Sequence, residues 1–317
     1  MLIVLSGVCA VVLVALVKTH TSEPVNQGRS LSKWIAYYIT HTSGMSGGLD
    51  GLPPLIGKPE TECTETREAA EAIRHIGPDA LPWLVEWISF QPKPWRARLL
   101  ILTGKLPAYF QTRRPVTWLT PDPGYARMDF ALSGFAILGP TAAPAIPQLT
   151  MVATNARLPG WRRAVRALIE IGPPAVPALT NLLSSNLPSS AKVGIAQGLA
   201  RMGSGAAPAL PTLVEGLNDP DSNVAAQCAI TLSKITNQPE MAIPELTRAL
   251  DDPRPDVKVA AAAALGEFGS AAQSAVAKLQ VLRTADGNVG EAARKALTAI
   301  SAETAVNAEG DSRKSPN

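Results

Sequence analysis

The run Asp219-Pro220-Asp221-Ser222-Asn223 is the arrangement in this chain that most resembles a ligand-binding loop. Oxygen ligands at alternate positions can grip a hard cation such as calcium, but such a loop also needs glycine at its sixth position and a bidentate glutamate at its twelfth. Val224 and Ile230 stand there instead, so the segment reads as a turn whose Asp221 caps the following helix. Gly203-Ser204-Gly205 begins like a dinucleotide-binding turn and lacks its third glycine. No HExxH, GxSxG or GxxxxGK[ST] occurs, and His75, beside Arg74, has no nucleophile or carboxylate at triad-like spacing. Cys9, Cys63 and Cys228 are too scattered for a disulfide framework or a CxxC zinc site, and three histidines give no ligand cluster. No catalytic, cofactor-binding or metal-ligating residue is assigned, no cofactor is expected, and the expectation is a chain that is not an enzyme.

Charge is the more informative chemistry. Residues 1–90 hold 6 basic and 9 acidic groups, residues 91–214 hold 13 and 3, and residues 215–311 hold 8 and 14. The middle block therefore carries an excess of ten positive charges, opposed only by Asp122, Asp129 and Glu170. Aromatic residues share the asymmetry, since of fifteen only Phe268 lies beyond Trp161. Arg96, Arg98, Arg113, Arg114, Arg162, Arg163 and Arg166, with Trp95 and Trp118 at the edge, are accordingly the expected partner-binding residues. Such a surface would attract an acidic protein or anionic lipid headgroups. The competing reading makes the arginines an ordinary solvated face and the aromatics the filling of a less regular core.

These residues need a scaffold, and two features of the 317-residue chain supply one. The first is a strongly apolar run, Leu2 to Val17, ending at Lys18. As a helix it spans about 24 Å, between a signal-peptide core and a minimal transmembrane helix. Basic residues do not precede it and no A-x-A-like site follows, so an uncleaved anchor is expected. Lys18, Arg29 and Lys33 follow the run, which favours a cytoplasmic body, whereas an N-terminal position favours export; the reading leans to export.

The second is a repeat. Leu217-Asn-Asp-Pro-Asp221 recurs as Leu250-Asp-Asp-Pro-Arg254, 33 residues later, and Val224, Ala229 and Leu232 recur as Val257, Ala262 and Leu265. Glycine markers at Gly77, Gly139, Gly172, Gly203 and Gly269, with Thr236 filling one slot, are separated by 62, 33, 31, 33 and 33 residues. Each marker should close a first helix, and Pro82, Pro147, Pro177, Pro211 and Pro244 should each open a second. Stacked helix–turn–helix units follow, with a degenerate unit expected between residues 92 and 125 where the interval doubles. Close stacking requires small facing residues, which makes Ala225, Ala226, Ala229 and Ala260–Ala264 core positions.

At this point the sequence resembles HEAT repeats, particularly the short HEAT-like repeats of phycobilisome-lyase proteins. Residues 217–236 and 250–269 follow their pattern, and Val257-Lys-Val-Ala-Ala-Ala-Ala-Ala-Leu-Gly-Glu-Phe-Gly269 is the nearest copy. The layout of apolar run, Gly28-Arg-Ser-Leu-Ser-Lys-Trp34 and repeats is similar to membrane-associated HEAT proteins of bacteria. The resemblance implies an all-α fold, a right-handed α-α superhelix (HEAT-like α-solenoid) preceded by an N-terminal hydrophobic helix and flexible tether.

The expected organisation is an anchor at 1–18, a tether with a short amphipathic helix at 19–63, about seven units at 64–301 and a disordered tail at 302–317. The expected function is a non-enzymatic scaffold at a bacterial membrane that binds a protein partner, with the body extracytoplasmic. A nucleic-acid-binding protein using the basic 91–214 block is the alternative, disfavoured by the hydrophobic N-terminus. Bilin-lyase activity is implied by the family likeness alone.

Overall fold

One backbone break sets each repeat. Gly77, Gly139, Gly172, Gly203 and Gly269 all have φ between 52° and 85°. A side chain is strained in that region, so glycine closes the preceding helix. The chain then makes a short 3-10 turn, at Gly77–Ala80, Gly139–Ala145, Pro173–Ala175, Gly203–Ala209 or Gly269–Ala275. In four repeats the second helix follows with Pro82, Pro147, Pro177 or Pro211 in its opening positions, where a missing N–H leaves no bond unmade. Pro244 departs from expectation and lies inside its helix. That repeat has no marker glycine, and its helix starts earlier, at Pro239. The Thr236 slot lies outside the described residues.

The computed structural model describes residues 22–42, 64–91, 123–235 and 238–312, in two compact units divided between Ile171 and Gly172. The first unit opens with a hairpin, β1 (Val25–Asn26) and β2 (Arg29–Ser30), paired Val25 to Ser30 and Asn26 to Arg29. Gln27 and Gly28 at its turn both have positive φ, as a two-residue turn matched to strand twist demands. Then come α1 (Leu31–Thr42), α2 (Thr64–Ile76), α3 (Leu81–Ile88), α4 (Pro123–Leu138), α5 (Ile146–Thr154) and α6 (Trp161–Ile171). Leu31, Trp34, Ile35 and Tyr38 form the buried stripe of α1, which packs on α2 and α4.

The described part of the expected tether is therefore a packed element. Asn26 donates its side-chain amide to the Ala72 carbonyl on α2 (3.0 Å), and the Trp34 indole donates to the Asn26 carbonyl (2.9 Å). Glu23 accepts from the Ser32 amide and hydroxyl and so caps α1. This segment covers the end of the stack with apolar side chains beneath and polar ones above, which is what a terminal cap of a repeat array must do.

The doubled marker interval separates two units that are in contact. Helix α4 packs directly on α3, and the turn Gly139–Ala145 lies against the turn Gly77–Ala80. The units on either side of residues 92–122 thus touch each other. Residues 92–122 themselves lie outside the described residues.

Beyond Asp129 helix α4 is largely apolar around its circumference, and α1, α2, α3 and α6 pack against it. The segment Ala126–Thr154 is long and apolar enough to cross a membrane by length and composition alone. It is broken at Gly139, and Met128, Ala131, Leu132, Phe135 and Leu149 within it are buried in the packing. Gly134 allows the close approach, since a Cβ there would stand 2.7 Å from Leu84 Cδ2.

The second unit holds α7 (Val176–Leu183), α8 (Ser189–Met202), α9 (Leu210–Gly216), α10 (Ser222–Lys234), α11 (Pro239–Ala249), α12 (Pro255–Glu267), α13 (Val276–Leu282) and α14 (Asn288–Ser312). Helices α8, α10, α12 and α14 stack as one layer, while α7, α9 and α11 stack as a second. This two-layer order is the α-solenoid expected from the repeat. Val224, Ala225, Ala229 and Leu232 are buried, as are their repeat counterparts Val257, Ala262 and Leu265. Full burial of each leucine contributes about 1.5–3 kcal/mol. Ala260, Ala261 and Ala264 are buried too, but Ala226 is half-buried and Ala263 exposed. The expected disordered tail begins as helix: α14 continues to Ser312, through an alanine- and glutamate-rich stretch of good helix formers.

Candidate interaction surface

Helix α6 positions the three members of the expected basic surface that lie among the described residues. Its apolar stripe, Trp161, Ala164, Val165, Ala167, Leu168 and Ile171, faces the core and leaves Arg162, Arg163 and Arg166 on other sides. Arg162 is exposed, with its guanidinium 5.2 Å from the Trp161 ring centre, a cation–π distance. Arg163 is turned inward to Asp129 on α4, at 2.9 Å, and ties α6 to its neighbour. Arg166 is half-buried and engaged in an interaction of its own. The three arginines are thus not one open positive face. Arg96, Arg98, Arg113, Arg114, Trp95 and Trp118 lie outside the described residues.

A second cationic feature escaped the sequence reading. Arg29, at the end of the β1–β2 turn, sits 4.8 Å from the Trp34 ring and 5.0 Å from the Tyr37 ring. Tyr37 in turn stacks with His41 at 4.3 Å. The signal was present as an arginine five residues before a tryptophan, but only the tight hairpin brings the side chains together.

In the second unit the ionisable groups connect one repeat to the next. Lys192 on α8 pairs with Asp219 in the turn after α9, at 2.9 Å. Lys234 on α10 and Glu267 on α12 pair at 2.8 Å, and Ser233 donates to the same carboxylate at 2.7 Å. Burial alone would raise the Glu267 pKa, but the bonds from Lys234 and Ser233 outweigh it and hold it below the ordinary value. Lys278 on α13 reaches back to Asp251 and to the Thr247 carbonyl on α11.

Arg254 is the most heavily engaged of these groups. Its guanidinium grips Asp252 through Nε and Nη2, both at 2.8 Å, and donates from Nη1 to the Asp219 carbonyl at 2.6 Å. A further bond of 3.4 Å reaches the Leu217 carbonyl that ends α9. The side-chain bond from Arg254 holds the Asp252 carboxyl at about 2.

The turn that resembled a calcium loop has its oxygens engaged within the protein. Asp219 accepts from Lys192 and from the Asp221 amide, and its carbonyl accepts from Arg254. Asp221 accepts from the Asn223 amide at 2.9 Å and caps α10. The Ser189 side chain, and then the Asn223 amide, hold its pKa below the ordinary value. Cys228 is wholly buried on α10, and burial pushes its thiol up to about 12, far from a reactive thiolate. Among the described residues no three His, Cys, Asp or Glu side chains stand together in a way that could hold a metal ion.

Comparison with known proteins bears on the repeats. HEAT repeats match residues 181–254 and 210–301, and the PBS lyase HEAT-like repeat matches residues 162–185. An engineered protein, Northeast Structural Genomics Consortium target OR329, is 21% identical over 66% of this chain and 98% of its own, with a TM-score of 0.40. A second engineered protein, target OR366, is 20% identical over 87% and 99%, with a TM-score of 0.38. Kap121p bound to Pho4p is 14% identical over 84% of this chain and 29% of that one, with a TM-score of 0.44. No curated protein matches the sequence. Residues 162–301 therefore carry HEAT repeats, with paired helices and the marker glycines Gly172, Gly203 and Gly269 inside the matched span.

Proposed function

We propose that the protein is a non-enzymatic scaffold whose helical repeats bind another protein, and that residues 2–17 hold it at a bacterial membrane with its body on the extracytoplasmic side. The observation that carries the reading is how the second unit uses its reactive groups. Lys192, Lys234 and Lys278 with their carboxylate partners, and Arg254 through the Asp219 and Leu217 carbonyls, tie neighbouring helices and turns together, and the thiol of Cys228 is buried. What such a stack offers to other molecules is an extended helical surface. The excess of ten positive charges in residues 91–214 supports a partner of acidic character.

Two measurements test this. Fractionation of the native host with protease accessibility should find the full-length chain in carbonate-washed membranes, cut only when the outer side is exposed. Crosslinking in the same membranes, followed by mass spectrometry, should join exposed positions on α10 and α12 to a second protein at salt-sensitive yield. A soluble mature form beginning between residues 18 and 30 would remove the anchor, and crosslinks confined to the chain itself would remove the scaffold.

A further inference from the structure

We infer that the cap formed by β1, β2 and α1 lies against the membrane surface, with Val25, Arg29 and Lys33 contacting anionic lipid headgroups. The inference rests on the proposed anchoring by residues 2–17. The apolar run ends at Val17, and the packed cap begins at Ser22. Residues 18–21 with their flanking links span at most about 18 Å when fully extended. An anchored chain must therefore hold Ser22, where the cap begins, within that distance of the bilayer, and headgroup charge acts on any part of the cap that comes within about 8 Å of it at physiological salt.

The cap is built to meet such a surface. Glu23 is the only acidic residue between positions 22 and 42, and Ser32 holds its carboxylate at the start of α1. The basic side chains remain outside: Arg29 and Lys33 are exposed, with Arg29 held over Trp34 and Tyr37. Val25, in β1 of the same hairpin, is 61% exposed and offers an apolar side chain to the surface. Asn26 fastens the hairpin to α2, so the surface moves with the first unit as one body.

The experiment uses the full chain with Cys9 and Cys63 replaced by serine, leaving the buried Cys228 in place. An environment-sensitive fluorophore is attached at Val25→Cys or, as a control in the same unit, at Met151→Cys, a position 51% exposed on α5. Vesicles of phosphatidylglycerol or phosphatidylcholine carry a nitroxide on the headgroup. Quenching at position 25 should exceed that at position 151 several-fold on phosphatidylglycerol, and should fall at high salt. Replacing Lys33 by Gln should lower the ratio of contacting to free cap about fivefold, and replacing Arg29 as well roughly 30-fold, with the chain still retained after a carbonate wash. Equal quenching at the two positions in a retained chain overturns the inference and leaves the anchor standing. Quenching unchanged by the Gln variants or by salt overturns it too, because the cations are then not the contact. Loss of the chain in the carbonate wash overturns the anchor, and the inference with it.

Discussion

Replacing Arg254 by alanine tests whether polar links between turns hold the second unit in register. Its guanidinium makes a two-point bond to Asp252 and bonds to the backbone carbonyls of Asp219 and Leu217. Hydrogen bonds to charged groups contribute about 1.5–3 kcal/mol each when sheltered. The side chains here are 26% and 17% exposed, so solvent screens part of that gain, and the bonds of one guanidinium are not fully additive. A loss of about 2 kcal/mol is expected, which corresponds to roughly a 30-fold loss of protection. Lysine should recover less than half of it, because a single ammonium can meet Asp252 but cannot bridge to the Asp219 carbonyl as well. Amide hydrogen exchange on peptides from α9 and α12 measures the effect locally, and protection in the first unit serves as the internal reference. Alanine and lysine variants both within about 0.3 kcal/mol of the parent would refute the reasoning. They would make the ion pair an ordinary surface contact.

Three further outcomes are expected. Stability should decline as pH falls from about 4 towards 2: carboxyls whose folded pKa is depressed, Asp252 at about 2 and also Glu267, stabilise the fold above their unfolded values and lose that contribution as they protonate. Acid titration by circular dichroism should show a shallower decline for Arg254→Ala than for the parent. Among the glycines, Gly194→Ala on α8 should raise stability by about 0.5–1 kcal/mol, since a Cβ there meets nothing within 4 Å, whereas Gly266→Ala should lower it because the new atom stands 3.0 Å from Ala296 Cα. Urea unfolding would contradict the packing if the two substitutions moved the midpoint in the same direction. Finally, Cys228 should stay unmodified by a thiol reagent at pH 8 until the protein is unfolded; labelling at the rate of a free thiol would contradict its burial and raised pKa.

The repeat was legible because its signals are local and obligatory. A helix that must end before a turn leaves a glycine, one that must start leaves a proline, and both recur at the period of the stack. The cap was half legible. Leu31, Trp34, Ile35 and Tyr38 stand at helical spacing and announce an amphipathic helix, but nothing local says that its stripe docks on α2 and α4. Its hairpin carries Gln27-Gly28 at the turn, without the Asn-Gly or Asp-Gly that marks such turns in sequence. The doubled interval shows that sequence length is not distance along the stack, since the units on either side of it touch. Lengthening a connection costs little, about 0.6 kcal/mol per doubling of loop length, so residues can be added between two units that remain neighbours.

Charge counted along the chain does not by itself give a surface, because stacking brings together residues one repeat apart. Asp129 and Arg163 are 34 positions apart and bonded; Lys234 and Glu267 are 33 apart and bonded. An opposite charge one period away is a near neighbour, while charges close in sequence can point to different sides of a helix, as Arg162 and Arg163 do. Arg29 and Lys33 lie on the hairpin and on α1, and both are exposed. For an anchored chain the short reach of residues 18–21 makes a headgroup surface a near source of negative charge for these two cations.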